Sequence, residues 1–317
     1  MENALGKVTK ESDGYKVVFD RLLNHDIQTV WDAITNPEKL KIWFTDFEME
    51  FKEGGKLKIL FRDADKTVTH GKIISIESPT KFIWTWEDEL AVWELQSEGK
   101  NKCKLKLTYS KLADRFAVGA PAGFHSLLDQ LGVMLEGRTD PFPFGTEENA
   151  PEQIELREIY GSLLYDSFPE LQVFHPYKLE RIYPAPISKV WAAISERDQL
   201  KKWYFDFAED FKPEIDKEFE WYAGEPGGKQ WLHRGKITEV VTGKKIAHTW
   251  EYPGYTGKAK VIWELSEASP TSTKLNFTFE ILIPFDPKEE ALKRKNFVEG
   301  WNSILKTSLE EYLKASH

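Results

Sequence analysis

The sequence contains the same series of short motifs twice, about 160 residues apart. Residues 30–34 (VWDAI) return as residues 190–194 (VWAAI), and residues 40–47 (LKIWFTDF) return as residues 200–207 (LKKWYFDF). Three further pairs keep this order with slightly larger offsets: 71–73 and 235–237 (GKI), 85–87 and 249–251 (TWE), and 93–95 and 263–265 (WEL). Small insertions between fixed blocks are what surface loops tolerate. The repeat therefore predicts two related domains in tandem.

Each copy carries the residue pattern of an α+β domain. A predicted strand, residues 16–22 or 178–183, leads into a short helix that contains the VWxAI motif. Apolar and polar residues alternate in the segments that follow, most strongly around Phe82, Trp84 and Trp86, and this period of two is typical of strands with one buried face. In the first copy, Gly54-Gly55 offers a hairpin turn. In the second copy Asp216-Lys217 replaces that turn.

Both copies end in a predicted amphipathic helix, whose apolar residues recur at three- and four-residue spacing. Gly137 supplies a C-terminal stop for the first of these helices. The pattern predicts two domains, residues 1–138 and 177–317, each a curved antiparallel sheet wrapped around a long C-terminal helix. Residues 139–176 form a linker with its own predicted helix, from Pro151 to about Leu164.

Charge and apolar content exclude several classes of protein. The chain has 43 Lys and Arg against 52 Asp and Glu, a net charge of −9, and lacks the clustered cations that a nucleic-acid surface needs. The first twenty residues lack the apolar stretch of a signal peptide, and no run approaches the ~20 apolar residues of a membrane span. One cysteine, Cys103, cannot form an intrachain disulfide and is predicted to be an inert buried thiol. We therefore expect a cytoplasmic protein with no nucleic-acid partner and no membrane span.

The motifs of metal, nucleotide and nucleophile chemistry are missing from the sequence. The seven histidines are at least 15 residues apart, and no H-E-x-x-H motif, paired cysteines, phosphate-binding glycine loop or G-x-S-x-G motif occurs. We expect no metal and no cofactor. His70, His125 and His248 could act as acid or base near neutral pH, although a hydrogen-bonded structural role is the favoured interpretation.

These motifs and their order resemble the START-like helix-grip domains of the SRPBCC superfamily. The Leu-x-x-Trp-(Phe/Tyr) block, the Gly-Gly hairpin, the Thr-Trp-Glu strand and the 123–131 helix (GFHSLLDQL) resemble one family in particular. It is the family named after the C-terminal domain of the activator of the heat-shock 90-kDa chaperone ATPase. That activator resembles the chain over only one such domain, so chaperone activation does not transfer. The second copy departs further, with Trp301-Asn302 in place of Phe124-His125.

The resemblance implies a cavity for an apolar ligand between the sheet and the closing helix. Strand alternation and helix spacing nominate ligand-binding side chains that face this interior, with ordinary core packing as the alternative for each. In the first copy they are Trp43, Phe82, Trp84, Trp86, Phe124, His125 and Leu128, and in the second copy Trp203, His248, Trp250, Trp263 and Trp301.

Three functions remain open at this point. The favoured one is non-catalytic binding of an apolar or aromatic small molecule, with residues 116–124 as a mobile lid or an irregular buried connection. The second is a protein-interaction module, a stress-related co-chaperone-like protein that docks on a partner such as a chaperone. The third, which is not favoured, is a cyclase or hydrolase type of enzyme that uses His125 or His248 as acid or base.

Overall fold

The computed structural model forms two compact units, residues 1–172 and 173–317. It describes residues 4–62, 66–138, 150–207, 211–224 and 227–315. Each unit has its own continuous cluster of buried apolar side chains. The α+β architecture in two tandem copies is therefore confirmed, while the predicted linker boundaries at 139 and 176 stay a prediction.

The sheet of unit 1 has eight described strands, and every neighbouring pair is antiparallel. Their spatial order is β1-β2-β8-β7-β6-β5-β4-β3. Strand β1 was not predicted, because three of its five residues are charged and it shows no clear alternation of apolar and polar residues. The strands are β1 (Lys7–Glu11), β2 (Gly14–Leu23), β3 (Asp46–Met49), β4 (Lys56–Leu60), β5 (Val68–Glu77), β6 (Lys81–Trp86), β7 (Glu89–Ser97) and β8 (Cys103–Leu112).

Unit 1 has four described α-helices, and side-chain caps define the start of the first two. The Asp26 carboxylate accepts hydrogen bonds from the backbone N–H groups of Gln28 and Thr29, and the Asn36 side chain caps the next helix. Short 3₁₀ turns lie at Asp114–Phe116 and Pro169–Phe174. The helices are α1 (Ile27–Thr35), α2 (Pro37–Trp43), α3 (Gly119–Leu135) and α4 (Ala150–Leu164).

Helix α3 is the closing helix of unit 1 and begins earlier than the sequence suggested. Residues 116–124 were expected to form a lid or an irregular connection, and this expectation is wrong: the helix begins at Gly119. Pro121 is tolerated there because backbone N–H groups in a first helical turn have no partner within the helix. The helix ends as predicted, with Gly137 at a φ of 71°.

The sheet of unit 2 has six described strands in the spatial order β10-β11-β12-β13-β14-β9, again all antiparallel. Two short helices follow strand β9, as two short helices follow β2 in unit 1. The strands are β9 (Tyr177–Tyr183), β10 (Glu218–Gly224), β11 (Gln230–Val241), β12 (Lys245–Trp250), β13 (Lys258–Ser269) and β14 (Ser272–Ile283), and the helices are α5 (Ile187–Ser195) and α6 (Arg197–Trp203).

The closing helix of unit 2 contains a π-helical turn. It runs through α7 (Arg294–Ser303), a π turn at Ile304–Ser308 and α8 (Leu309–Ala315), after a 3₁₀ turn at Glu290–Leu292. Four residues advance an ideal helix by about 40° more than one turn, so residues four apart drift around it. The wider π turn offsets this drift and keeps a four-residue series on the buried side. Its buried members are Phe297, Trp301, Leu305, Leu309 and Leu313.

The hairpin turn before β4 is preserved in unit 2 although its glycines are not. Gly54 has a φ of 74°, and its N–H donates to the Ile73 carbonyl at 2.8 Å. Asp216 has a φ of 67°, and its N–H donates to the Ile237 carbonyl at 2.9 Å. Asp adopts the left-handed conformation more readily than most residues with a side chain. The two copies therefore share this backbone geometry despite the difference in sequence.

We expect Gly54→Ala to lower the free energy of unfolding by about 1 kcal/mol, because alanine is strained in the left-handed region. A Cβ at Gly54 meets no atom within 4 Å, so the effect comes from the backbone alone. The matched change Asp216→Gly should be neutral or stabilising. Urea unfolding of the full chain, followed by circular dichroism, measures both, and an unchanged midpoint for Gly54→Ala would contradict the assignment.

Candidate functional site

Unit 1 has a small, mainly apolar and partly open cavity beside the end of α2. Its volume is about 10 Å³, which leaves room for one water molecule at most. Two of the predicted ligand-binding residues, Phe82 and Trp84, line it. The full lining is Ile34, Leu40, Phe44, Phe47, Met49, Leu57, Phe82, Trp84 and Trp93.

Trp43 and its counterpart Trp203 hold the short helices together in the two units. The Trp43 indole N–H donates to the Ala33 carbonyl at 3.0 Å, and that of Trp203 donates to the Ala193 carbonyl at 2.9 Å. Both side chains are buried. Because each N–H already has a protein acceptor, these two tryptophans contribute only a ring face to any ligand.

Trp86 and Phe124 form an aromatic group next to the cavity. Their ring centroids are 6.1 Å apart, and the Trp86 N–H donates to the Thr69 hydroxyl at 2.9 Å. Phe44 connects this group to the cavity, because it contacts both rings and also lines the cavity wall. Leu128 is buried on the same helix as Phe124. Sequence reasoning missed Phe44, although it lies inside the repeated Trp-(Phe/Tyr) block.

His125 is not among the side chains that line the cavity. Its Nδ1 lies 3.1 Å from the Tyr160 hydroxyl of α4, and its Nε2 lies 3.5 Å from a carboxylate oxygen of Asp129. The Tyr160 oxygen also accepts a hydrogen bond from the Gly6 N–H at 2.7 Å. Burial, with a smaller contribution from the Arg21 charge, lowers the pKa of His125 to about 4. These contacts give His125 a structural role between α3 and α4.

Two buried histidines lie in the interior of unit 2. His248 Nδ1 is 2.9 Å from the Thr249 carbonyl, and His233 Nδ1 is 2.9 Å from the Trp231 carbonyl. Burial lowers the pKa of each to about 4. His233 was not predicted as a site residue; it lies opposite Trp221 in the β10–β11 register, on the apolar face. Both side chains are therefore neutral at pH 7.

The remaining candidates of unit 2 meet in one aromatic cluster. Trp301 of the closing helix lies 5.3 Å from Trp250 and 5.9 Å from Trp263, measured between ring centroids. Trp203 lies 6.3 Å from Trp263. The side chains of this cluster that sequence reasoning missed are Tyr204, Phe205, Trp221, His233 and Tyr252.

The two units differ where unit 1 has its cavity. Leu57 pairs with Gly71 in unit 1, and Phe219 pairs with the matching Gly235 in unit 2. Trp84 corresponds in the same way to His248, since each pairs with the isoleucine of the GKI motif. Phe219 packs against His248 at 5.4 Å. Unit 2 thus has a larger side chain at the position of Leu57 and a smaller one at the position of Trp84.

An antiparallel sheet closed by a C-terminal helix over an apolar interior, present twice, defines the helix-grip class of the SRPBCC superfamily. The sequence profile described as "Activator of Hsp90 ATPase homolog 1-like protein" matches residues 24–136 and 184–314. The chain belongs to this family, with two tandem domains. No curated protein sequence matches the chain.

Several solved structures are similar to about half of the chain. CalU16 from Micromonospora echinospora is 22% identical, covers 52% of this chain and 98% of its own, and has a TM-score of 0.41. EF2215 from Enterococcus faecalis, a conserved protein of unknown function, is 18% identical, covers 51% of this chain and 91% of its own, with a TM-score of 0.43. Mll3558 from Rhizobium loti is 20% identical, covers 44% and 96%, and has a TM-score of 0.38.

Neither a membrane-spanning helix nor a metal-binding cluster is found in the described part of the chain. Among the helices of the described ranges, none has both the length and the apolar content to cross a membrane. Within the same part of the chain, no three His, Cys, Asp or Glu side chains cluster so as to hold a metal ion. Cys103 is fully buried, and burial raises the pKa of its thiol, as expected for an unreactive cysteine.

We expect the free energy of unfolding to fall as the pH is lowered from about 6.5 toward 4. The pKa of a histidine is about 6.5 in the unfolded chain and about 4 at His233 and His248, so the folded state favours the neutral form. Stability from this source is complete above pH 6.5, and each histidine removes about 3 kcal/mol once protonated.

His248→Asn tests this prediction, because the Asn amide keeps a donor toward the Thr249 carbonyl and does not titrate. Urea unfolding between pH 7 and 4.5 should show a weaker pH dependence in this variant. The exposed His70→Asn serves as the control and should follow the wild type. Identical profiles for all three proteins would show that His248 is not held neutral by the fold.

Proposed function

We propose that unit 1 binds a small apolar or aromatic molecule, without chemical turnover, in the cavity between its sheet and the short helices α1 and α2. The observation that supports this most directly is the lining of the cavity, which consists of nine aliphatic, aromatic and methionine side chains. Apolar concave sites of this kind are the usual small-molecule sites in proteins. Membership of a helix-grip family supports the fold that such binding requires.

Uptake of a ligand requires side chains at the cavity wall to move, because the empty space holds one water at most. The wall formed by β3 is best suited to this. Strand β3 has four residues, lies at the edge of the sheet and pairs only with β4. Met49, the last residue of β3, is half-buried and has a flexible side chain. Phe51, two residues further on, is 47% exposed, and its ring centroid lies 5.8 Å from that of Phe82. Short edge elements open at low free-energy cost.

The histidines support binding without catalysis. His125 and His248 have pKa values of about 4 and are neutral at pH 7. Each already has a hydrogen-bond partner, Tyr160 for one and the Thr249 carbonyl for the other. An acid or base for neutral pH needs a pKa near 7 and access to the reacting atom. Neither condition favours these residues.

Leu57→Phe should weaken binding in unit 1, because it introduces the larger side chain that unit 2 carries as Phe219. The probe is N-phenyl-1-naphthylamine, whose fluorescence rises in apolar surroundings, titrated into the full-length chain. We expect saturable binding at one site in the wild type and an affinity at least about tenfold lower in Leu57→Phe. Thermal unfolding checks that this variant is folded.

The reverse change Phe219→Leu is the matched control, since it alters the same position of unit 2 and leaves unit 1 intact. It should retain the binding seen in the wild type. Equal affinity in Leu57→Phe and the wild type would show that the probe does not bind in this cavity. Saturable binding by neither protein would mean that the interior is closed, and it would favour the alternative of a protein-interaction module.

A further inference from the structure

The interior of unit 2 contains polar groups that its fold does not use. The hydroxyl of Tyr204 and the indole N–H groups of Trp221 and Trp250 are buried and have no hydrogen-bond partner among the described residues. Trp221 and Trp250 are only 2% and 4% exposed. Buried polar groups are nearly always hydrogen-bonded, and an unpaired one costs stability. Three such groups in one aromatic cluster therefore need an explanation.

These groups lie around a single ring, that of Phe205. The Phe205 centroid is 4.2 Å from Tyr204, 5.8 Å from Trp221 and 6.3 Å from Trp250. Phe205 is close to parallel with Trp221 and with His233, at 26° and 24°, while Trp250 stands at 63° to it. Trp221 and His233 are themselves stacked at 4.9 Å, so the Phe205 side chain lies in a slot beside one wall formed by both rings, with Trp250 as a second, steeply inclined wall.

Tyr204 brings its hydroxyl to this slot from a position that is apolar in unit 1. Its counterpart is Phe44, and both residues follow the last turn of a short helix with the same backbone bond, to the carbonyl of Leu200 or Leu40. The Tyr204 pKa is raised by burial and further by Tyr252, which places the two phenols near each other. The Trp250 N–H also points toward Tyr252 without closing a hydrogen bond of normal geometry.

The slot is specific to unit 2 and is reached from solvent. Phe205 replaces Thr45, Trp221 replaces Ile59, and His233 replaces Thr69, as the motifs and strand registers show. Thr45 is 1% exposed in unit 1, whereas Tyr204 and Phe205 are half-buried. Repacking of an apolar core would account for the added rings. It would not account for the Tyr204 hydroxyl and the Trp221 N–H, which unit 2 adds, since unpaired polar groups only lower stability. Nor would it account for Trp250, whose counterpart Trp86 donates to Thr69, the residue that His233 replaces.

We infer that unit 2 binds a planar aromatic molecule that carries a carbonyl oxygen, in the slot now filled by the Phe205 ring. The ligand ring replaces Phe205 against Trp221 and His233, and its oxygen accepts hydrogen bonds from the Tyr204 hydroxyl and the tryptophan N–H groups. This site is separate from the unit 1 cavity, so it stands or falls independently of the function proposed above.

Two naphthalene probes that differ in one carbonyl group test this assignment. They are 6-propionyl-2-(dimethylamino)naphthalene and 2-(dimethylamino)naphthalene, titrated into the full chain that carries Leu57→Phe to close unit 1. Phe205→Ala opens the slot and should raise the affinity for both probes by about tenfold or more. Added Tyr204→Phe should then weaken binding of the ketone by about fivefold and leave the other probe unchanged.

The folded stability of the variants separates a binding role from a structural one. Tyr204→Phe introduces the residue that unit 1 already carries, so without ligand it should unfold at the same or a higher temperature than the wild type. Tyr222→Phe makes the same change at a hydroxyl-bearing residue that is 68% exposed, and it should alter neither stability nor binding.

Three outcomes would overturn the assignment. One is no gain in affinity on Phe205→Ala, which would show that its ring does not occupy a ligand slot. Another is an equal fall in affinity for both probes on Tyr204→Phe, which would show that the hydroxyl does not recognise the carbonyl. The third is a lower unfolding temperature for Tyr204→Phe without ligand, which would show that the hydroxyl already stabilises the fold.

Discussion

Both units depend on the packing of a closing helix against the apolar face of its sheet. In unit 1 the ring of Phe124 lies 4.5 Å from Tyr109, and in unit 2 the ring of Trp301 lies 4.5 Å from Phe277. Burial of one large apolar side chain contributes about 1.5–3 kcal/mol, and several such residues line each helix. In both units the space between the sheet and the closing helix is therefore filled by the protein's own side chains.

Duplication has preserved the backbone and changed the interior. The hairpin at Gly54 and Asp216 keeps its geometry, and the tryptophans of the short helices keep their hydrogen bonds. The buried side chains have diverged: unit 1 has a small cavity lined by aliphatic, aromatic and methionine side chains, and unit 2 has more aromatic rings and additional unpaired polar atoms. This difference supports two sites of different chemistry in one chain.

The sequence by itself determined the two copies, the strand–helix order, the closing helices and the helix over 150–164, because each depends on local periodicity and on terminal signals such as Gly137. It also identified the aromatic residues that turn inward. It did not separate Phe82 and Trp84, which line the cavity, from Trp43, whose N–H bonds to Ala33. Alternation along a strand indicates which face of the sheet a side chain is on. It carries no information on which side chains meet across the interior.

Tertiary structure decided everything that depends on residues far apart in the chain. The pairing of His125 with Tyr160 and the contact of Phe205 with Trp221 join segments whose distance is set by packing. The strand pairs Leu57–Gly71 and Phe219–Gly235 likewise depend on the register of the folded sheets. Tertiary packing also decided the π turn in the closing helix of unit 2. Apolar residues at four-residue spacing predict an ordinary α-helix, and the π turn becomes necessary only because the sheet requires one side of the helix to stay buried along its length. Free volume and unpaired polar groups arise only where many side chains meet. Both are therefore properties of the packed interior and cannot be derived from the order of residues along the chain.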